Sequence, residues 1–294
     1  MFDEFKNAFS RPNNGHVQLI LLNVILFIAL AVAYVVFTVS GFGYVFKLVH
    51  DQFSLSPVPA EFLTRPWTLI TYAFAHSLSD IWHILFNMIS LYWFGKLCLE
   101  YLGNDRLIAL YVLGALAGGL LYLLLSNTVP FFQAHAATGM VGASAAIYAI
   151  MVGCATLLPD YTFFLLFFGP VRIKYIAFFF ILLSFLGTVS ANAGGNIAHL
   201  GGAMVGWVYV RQLQQGRNFG AWITASMNFF AGLFRRKPRI RVEYRRQGPS
   251  VSRSEPATTV SQQEIDAILD KISERGYESL SREEKEKLFR AGKK

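Results

Sequence analysis

The apolar residues of this chain run in long blocks instead of alternating with polar ones, and that grouping limits the folds open to it. A helix needs ~20 apolar residues to cross ~30 Å of hydrocarbon, and several blocks approach that length. Soluble domains carry roughly 25% charged residues; here the share is 15%, with 54% hydrophobic. The expected fold class is therefore an all-α membrane protein. Six spans are predicted, over about residues 17–38, 81–99, 107–125, 144–158, 175–190 and 196–213. The fourth opens on small residues and the sixth on Asn196 and His199, so both should begin in a water-filled cavity.

The first fifteen residues hold Asp3, Glu4, Lys6 and Arg11. They do not resemble the basic start of a signal peptide, and the first block is expected to be a retained helix. Cys98 and Cys154 both fall in apolar segments, where a disulfide is not expected. The net charge of +8 is concentrated late in the chain, in Arg235, Arg236, Lys237, Arg239, Arg241, Arg245 and Arg246. Directly after a membrane domain, such a run marks the cytoplasmic side, and no nucleic-acid partner is inferred. Six spans place both termini on that side, together with Arg172 and Lys174. The opposite loops, at about 127–141 and 191–195, lack Lys and Arg. This pattern places both termini in the cytoplasm, and the setting expected is a bacterial cytoplasmic membrane. The long loop at 40–80 is too apolar for a linker and should rest in the bilayer interface.

Four segments follow. Residues 1–15 form an N-terminal segment and residues 16–215 the six-helix membrane domain. Residues 216–260 comprise an amphipathic interfacial helix and a basic linker, and residues 261–294 a small helical module. In the third segment Phe219, Trp222, Ile223, Met227, Phe230 and Phe234 recur at helical spacing. In the fourth, Ser261 with Glu264 and Ser281 with Glu284 form capping boxes, and Gly276 suits a helix stop. Two short helices seldom fold alone, so a cytoplasmic partner or the membrane domain is expected to dock this tail.

Polar residues inside spans are costly, and three groups of them stand out. Ser144 begins a helix within Gly142-Ala143-Ser144-Ala145, where free backbone amides and the positive helix end favour an oxyanion. An N-cap serine in a seam of small residues would look the same. His199 lies near the outer end of the last span, three residues before Gly202, and Gly202 with Gly206 makes a GxxxG face. His83 and Asn87 sit four apart on one helix face, and both can donate hydrogen bonds to a developing negative charge. His76 and His83 admit a metal reading, but no carboxylate or thiolate completes a ligand set, and no metal site is assigned. Asp80 is expected to be a solvated charge or a helix cap.

Taken together, the segment from Arg65 to His76 with His83-xxx-Asn87, the Gly142-Ala143-Ser144 run and Ala198-His199-xx-Gly202-xxx-Gly206 resemble the conserved blocks of the rhomboid family. The likeness extends over about residues 17–213. It implies a six-transmembrane-helix rhomboid bundle and an intramembrane serine endopeptidase with Ser144 as nucleophile and His199 as base. His83, Asn87 and the Ser144 amide would stabilise the oxyanion, and Tyr148 would stack on His199. Gly142, Gly202 and Gly206 would support the site. The family dyad has no acidic partner, so packing would orient the histidine. Transmembrane proteins would be the substrates and the lipid bilayer the medium, with no cofactor. The family usually has Gly after the serine, and this chain has Ala145. A client-binding pseudoprotease of the same fold and a small transporter are the rival readings.

Overall fold

The computed structural model describes residues 13–134, 139–234 and 261–291, in two units divided near Arg236. The first unit opens with α1 (Gly15–Val39), followed by the short helices α2 (Gly43–His50), α3 (Pro59–Thr64) and α4 (Thr68–Thr71) and a 3-10 turn over Tyr72–Phe74. Next come α5 (Ile81–Leu102), α6 (Asn104–Thr128), α7 (Pro130–Ala134) and α8 (Ser144–Leu157). A hairpin of β1 (Thr162–Leu165) and β2 (Gly169–Arg172) leads into α9 (Ile173–Gly187), α10 (Ala193–Gln214) and α11 (Ala221–Phe234). Each predicted span thus coincides with a helix. Among the described residues, Gly15–Val39 and Asn104–Thr128 are both long and apolar enough to cross a membrane, while Ser144–Leu157 and Ile173–Gly187 are shorter apolar helices.

Small residues let α6, α8 and α10 approach closely, as is usual where no water drives helices together. A Cβ on Gly201 would lie 2.7 Å from the Ala117 carbonyl, and one on Gly118 would lie 2.7 Å from that of Ala198. Gly202 and Gly206 meet the backbone of Ala145 and Ala149, so the GxxxG face of α10 is packed on α8. The methyl of Ala145 is buried and points at Gly118, whose missing side chain makes room for it.

The first loop is tied to this core by buried hydroxyls. Tyr72 Oη donates to the Ala115 carbonyl at 2.8 Å and Tyr111 Oη to that of Ala73 at 2.6 Å. Leu55 and Met140 exchange backbone hydrogen bonds of 3.0 and 2.9 Å, and the Gly142 amide donates to the Tyr72 carbonyl at 2.9 Å. These bonds fix the strand of chain that delivers Ser144. Asp80 caps α5, accepting from the Trp82 amide at 3.0 Å. Cys98 and Cys154 are free thiols, both buried.

The second unit contains α12 (Gln262–Arg275), a 3-10 turn at Tyr277–Ser279 and α13 (Arg282–Ala291). The Ser261–Glu264 capping box is formed in both directions. Its counterpart is present at Ser281, whose amide donates to Glu284 Oε2 at 2.7 Å. Gly276 ends α12 at φ +75°. The basic run at 235–246 and the linker at 247–260 lie outside the described residues.

Candidate active site

Gly142 holds φ +138°, a conformation that side chains rarely adopt, and this turn aims the chain into α8. Ser144 is the first residue of that helix. The first amides of a helix have no intrahelical acceptor, so they face the same space as the Ser144 hydroxyl.

α10 brings His199 to that hydroxyl, with Nε2 2.7 Å from Ser144 Oγ. Tyr148, one turn along α8, stacks on the imidazole at a centroid distance of 4.3 Å and an interplanar angle of 12°. α9 supplies a residue that the sequence reading missed. Ser184 is 2% exposed, and its Oγ lies 3.1 Å from His199 Nδ1 and 2.8 Å from Tyr148 Oη. Tyr148 Oη also donates to the Phe180 carbonyl at 3.2 Å. Packing is therefore not the sole support of the histidine, as the absence of an acidic partner had suggested. Ser184 could have been found as a polar residue in an otherwise apolar block fifteen positions before His199.

His83 approaches from α5. A Cβ on Gly142 would lie 2.9 Å from His83 Nε2 and 3.6 Å from Ser144 Oγ, so imidazole and hydroxyl flank one spot. Asn87 is buried, and its Nδ2 donates to the His83 carbonyl at 2.7 Å. Ser144, His199, His83, Asn87, Tyr148 and Gly142 all line one cavity of about 820 Å³. Gly202 and Gly206 lie behind it at the α8–α10 crossing. The His76 and His83 rings meet edge to face at 5.2 Å, and among the described residues no set of three or more His, Cys, Asp or Glu is placed to hold a metal ion.

A helical membrane protein with a serine and a histidine paired across two close-packed helices defines a narrow class. The chain belongs to the rhomboid family, whose domain model matches residues 63–215. A separate family of unknown function, DUF6576, matches residues 258–294. RHOMBOID-like protein 12, mitochondrial, of Arabidopsis thaliana is 37% identical over 163 residues, covering 52% of this chain and 48% of that protein. Rhomboid protein 1, mitochondrial, of Saccharomyces cerevisiae is 31% identical over 159 residues, covering 51% of this chain and 42% of that protein. The chain thus matches a little under half the length of each relative.

Both names overturn the expectation of a bacterial cytoplasmic membrane. Lys and Arg bias distinguishes the two faces of a membrane and carries no information about which membrane it is.

Proposed function

We propose that this protein is an intramembrane serine endopeptidase that cleaves the transmembrane segments of other membrane proteins. The observation that carries this reading is the 2.7 Å contact between Ser144 Oγ and His199 Nε2 inside the cavity that His83 and Asn87 also line. Membership of the rhomboid family, which includes serine proteases, supports it.

Ser144 attacks the scissile carbonyl while His199 Nε2 takes its proton and later returns it to the leaving amine. The Ser144 amide and the side chains of His83 and Asn87 receive the developing negative charge. Water entering the cavity releases the acyl-enzyme. No metal or cofactor takes part in this scheme. A substrate helix hides its carbonyls in hydrogen bonds, so small or helix-breaking residues near the cut favour cleavage. In this reading α1, α5, α6, α8, α9 and α10 are the six spans, the bilayer is the medium, and the second unit binds a partner outside the membrane.

Labelling of the detergent-solubilised chain with a fluorophosphonate serine-hydrolase probe tests the assignment. Wild-type protein should label, and Ser144→Ala and His199→Ala should not. A folded wild type that stays unlabelled would overturn the protease reading in favour of a client-binding pseudoprotease.

A further inference from the structure

For Nε2 of His199 to accept the Ser144 proton, the imidazole must be neutral with its own proton on Nδ1. Isolated imidazole chemistry does not guarantee that tautomer. In many serine hydrolases a carboxylate on Nδ1 imposes it. Nδ1 of His199 meets a serine hydroxyl, which can either donate or accept and so imposes nothing by itself.

The surroundings of that hydroxyl supply the missing direction. Ser184 Oγ has two neighbours, His199 Nδ1 at 3.1 Å and Tyr148 Oη at 2.8 Å. Tyr148 Oη has a further neighbour, the Phe180 carbonyl at 3.2 Å, and a carbonyl can only accept. The single tyrosine proton goes to that carbonyl. Tyr148 Oη then offers only lone pairs to Ser184, whose proton turns toward it. Ser184 Oγ is left as an acceptor facing Nδ1, which must carry the hydrogen.

We infer that Ser184 and the Tyr148 hydroxyl form a directed relay, His199 Nδ1–H to Ser184 to Tyr148 to the Phe180 carbonyl, which sets the histidine tautomer needed for proton abstraction at Nε2. Ser184 is in this sense a positioning residue. Tyr148 has two separable parts, a ring that stacks and a hydroxyl that orients. Two of the relay's groups, Ser184 and the Phe180 carbonyl, come from α9, so a displacement of α9 would release the tautomer without moving Ser144 or His199. The relay rests on the protease reading for its purpose, but not for its existence.

The test uses the full chain in detergent, labelled with 15N-histidine, with the His199 signals assigned by their loss in His199→Gln. Wild type should show His199 protonated at Nδ1. Ser184→Ala should shift population toward the Nε2–H form and slow probe labelling about two- to thirteenfold, the effect of one neutral hydrogen bond of ~0.5–1.5 kcal/mol. Tyr148→Phe keeps the ring and should shift the tautomer in the same sense. Ser184→Thr keeps the hydroxyl and should restore both readings. Loss of packing alone would slow labelling without moving the tautomer signal. An Nε2–H histidine in wild type, or an unchanged tautomer in folded Ser184→Ala, would overturn the relay. A wild type that is Nδ1–H yet never labels would sink the protease reading and leave the relay standing.

Discussion

Two glycines at the site are held by different constraints, and their substitutions should fail in different ways. At Gly142 the backbone is at φ +138°, and an added Cβ would press on His83 Nε2. Gly142→Ala should therefore displace His83 and abolish probe labelling while leaving most of the fold in place. At Gly202 the obstacle is the Ala145 carbonyl, a backbone atom that cannot rotate away. Gly202→Val should separate α8 from α10 and lower stability by about 3 kcal/mol, seen as a fall in the thermal midpoint. Gly43→Ala, with nothing within 4 Å of the new atom, should leave that midpoint unchanged. Ala145 departs from the usual family glycine, but its methyl is buried against Gly118, where there is room for it. Ala145→Gly should keep labelling within about threefold and cost roughly 0.5–1 kcal/mol for a glycine in a helix. Ser144 and His199 stood out in the sequence as polar residues near the starts of apolar helices, while their pairing and the Tyr148 stack followed only from the resemblance to the family. Ser184 did not stand out, because its significance comes from a neighbour on another helix.

At the scale of elements, helix placement was legible because apolar blocks of this length admit little else, whereas the hairpin after α8 was read only as a loop. Its strands are four residues each and almost wholly apolar, so no alternation betrays them. Phe164, Leu166, Phe167 and Phe168 are 79–89% exposed around this turn. Leaving such side chains in water forgoes roughly 1.5–3 kcal/mol each. The flanking helices, α8 of 14 residues and α9 of 15, rise only about 21–23 Å at 1.5 Å per residue, against ~30 Å of hydrocarbon. If α8 and α9 are spans, as proposed, the hairpin should occupy the missing depth; Arg172 and Lys174 pair with Asp160 at its base. A spin label on Phe167→Cys, in chain reconstituted into liposomes, should collide more with oxygen than with a water-soluble nickel chelate. Cys98 and Cys154 are buried and should not compete for the label. Phe178→Cys, on the exposed face of α9, is the reference. A lipid-like reading at 178 with a water-like one at 167 would remove the hairpin from the bilayer, and a water-like reading at 178 would count against α9 as a span.

At the scale of the whole molecule, the two units are held by different forces. The first is built on close contacts between small residues, and the second has few buried side chains, Ile268 and Leu280 among them. Polar clasps substitute for a core there: Lys287 Nζ donates to Glu264 Oε1 at 2.8 Å and Lys271 Nζ to Glu284 Oε1 at 2.9 Å, each joining α12 to α13. The hydrogen bond from Lys287, with that from the Ser261 amide, holds the Glu264 carboxyl down at about 2. Lys271 and the Ser281 amide do the same for Glu284. A carboxyl whose folded value lies below its unfolded one stabilises the fold above the unfolded value, and that contribution disappears as the pH falls through the folded one. The clasps should therefore be complete above about 4.5 and lost progressively as the solution is acidified toward 2. Carboxyl 13C titration of the full chain should give Glu264 a midpoint near 2, and Lys287→Ala should return it toward 4.5. Glu284 should stay low in that variant, because its lysine is a different one. A Glu264 midpoint that is already ordinary in wild type would mean that the two helices are not clasped, leaving the capping boxes to hold each helix separately.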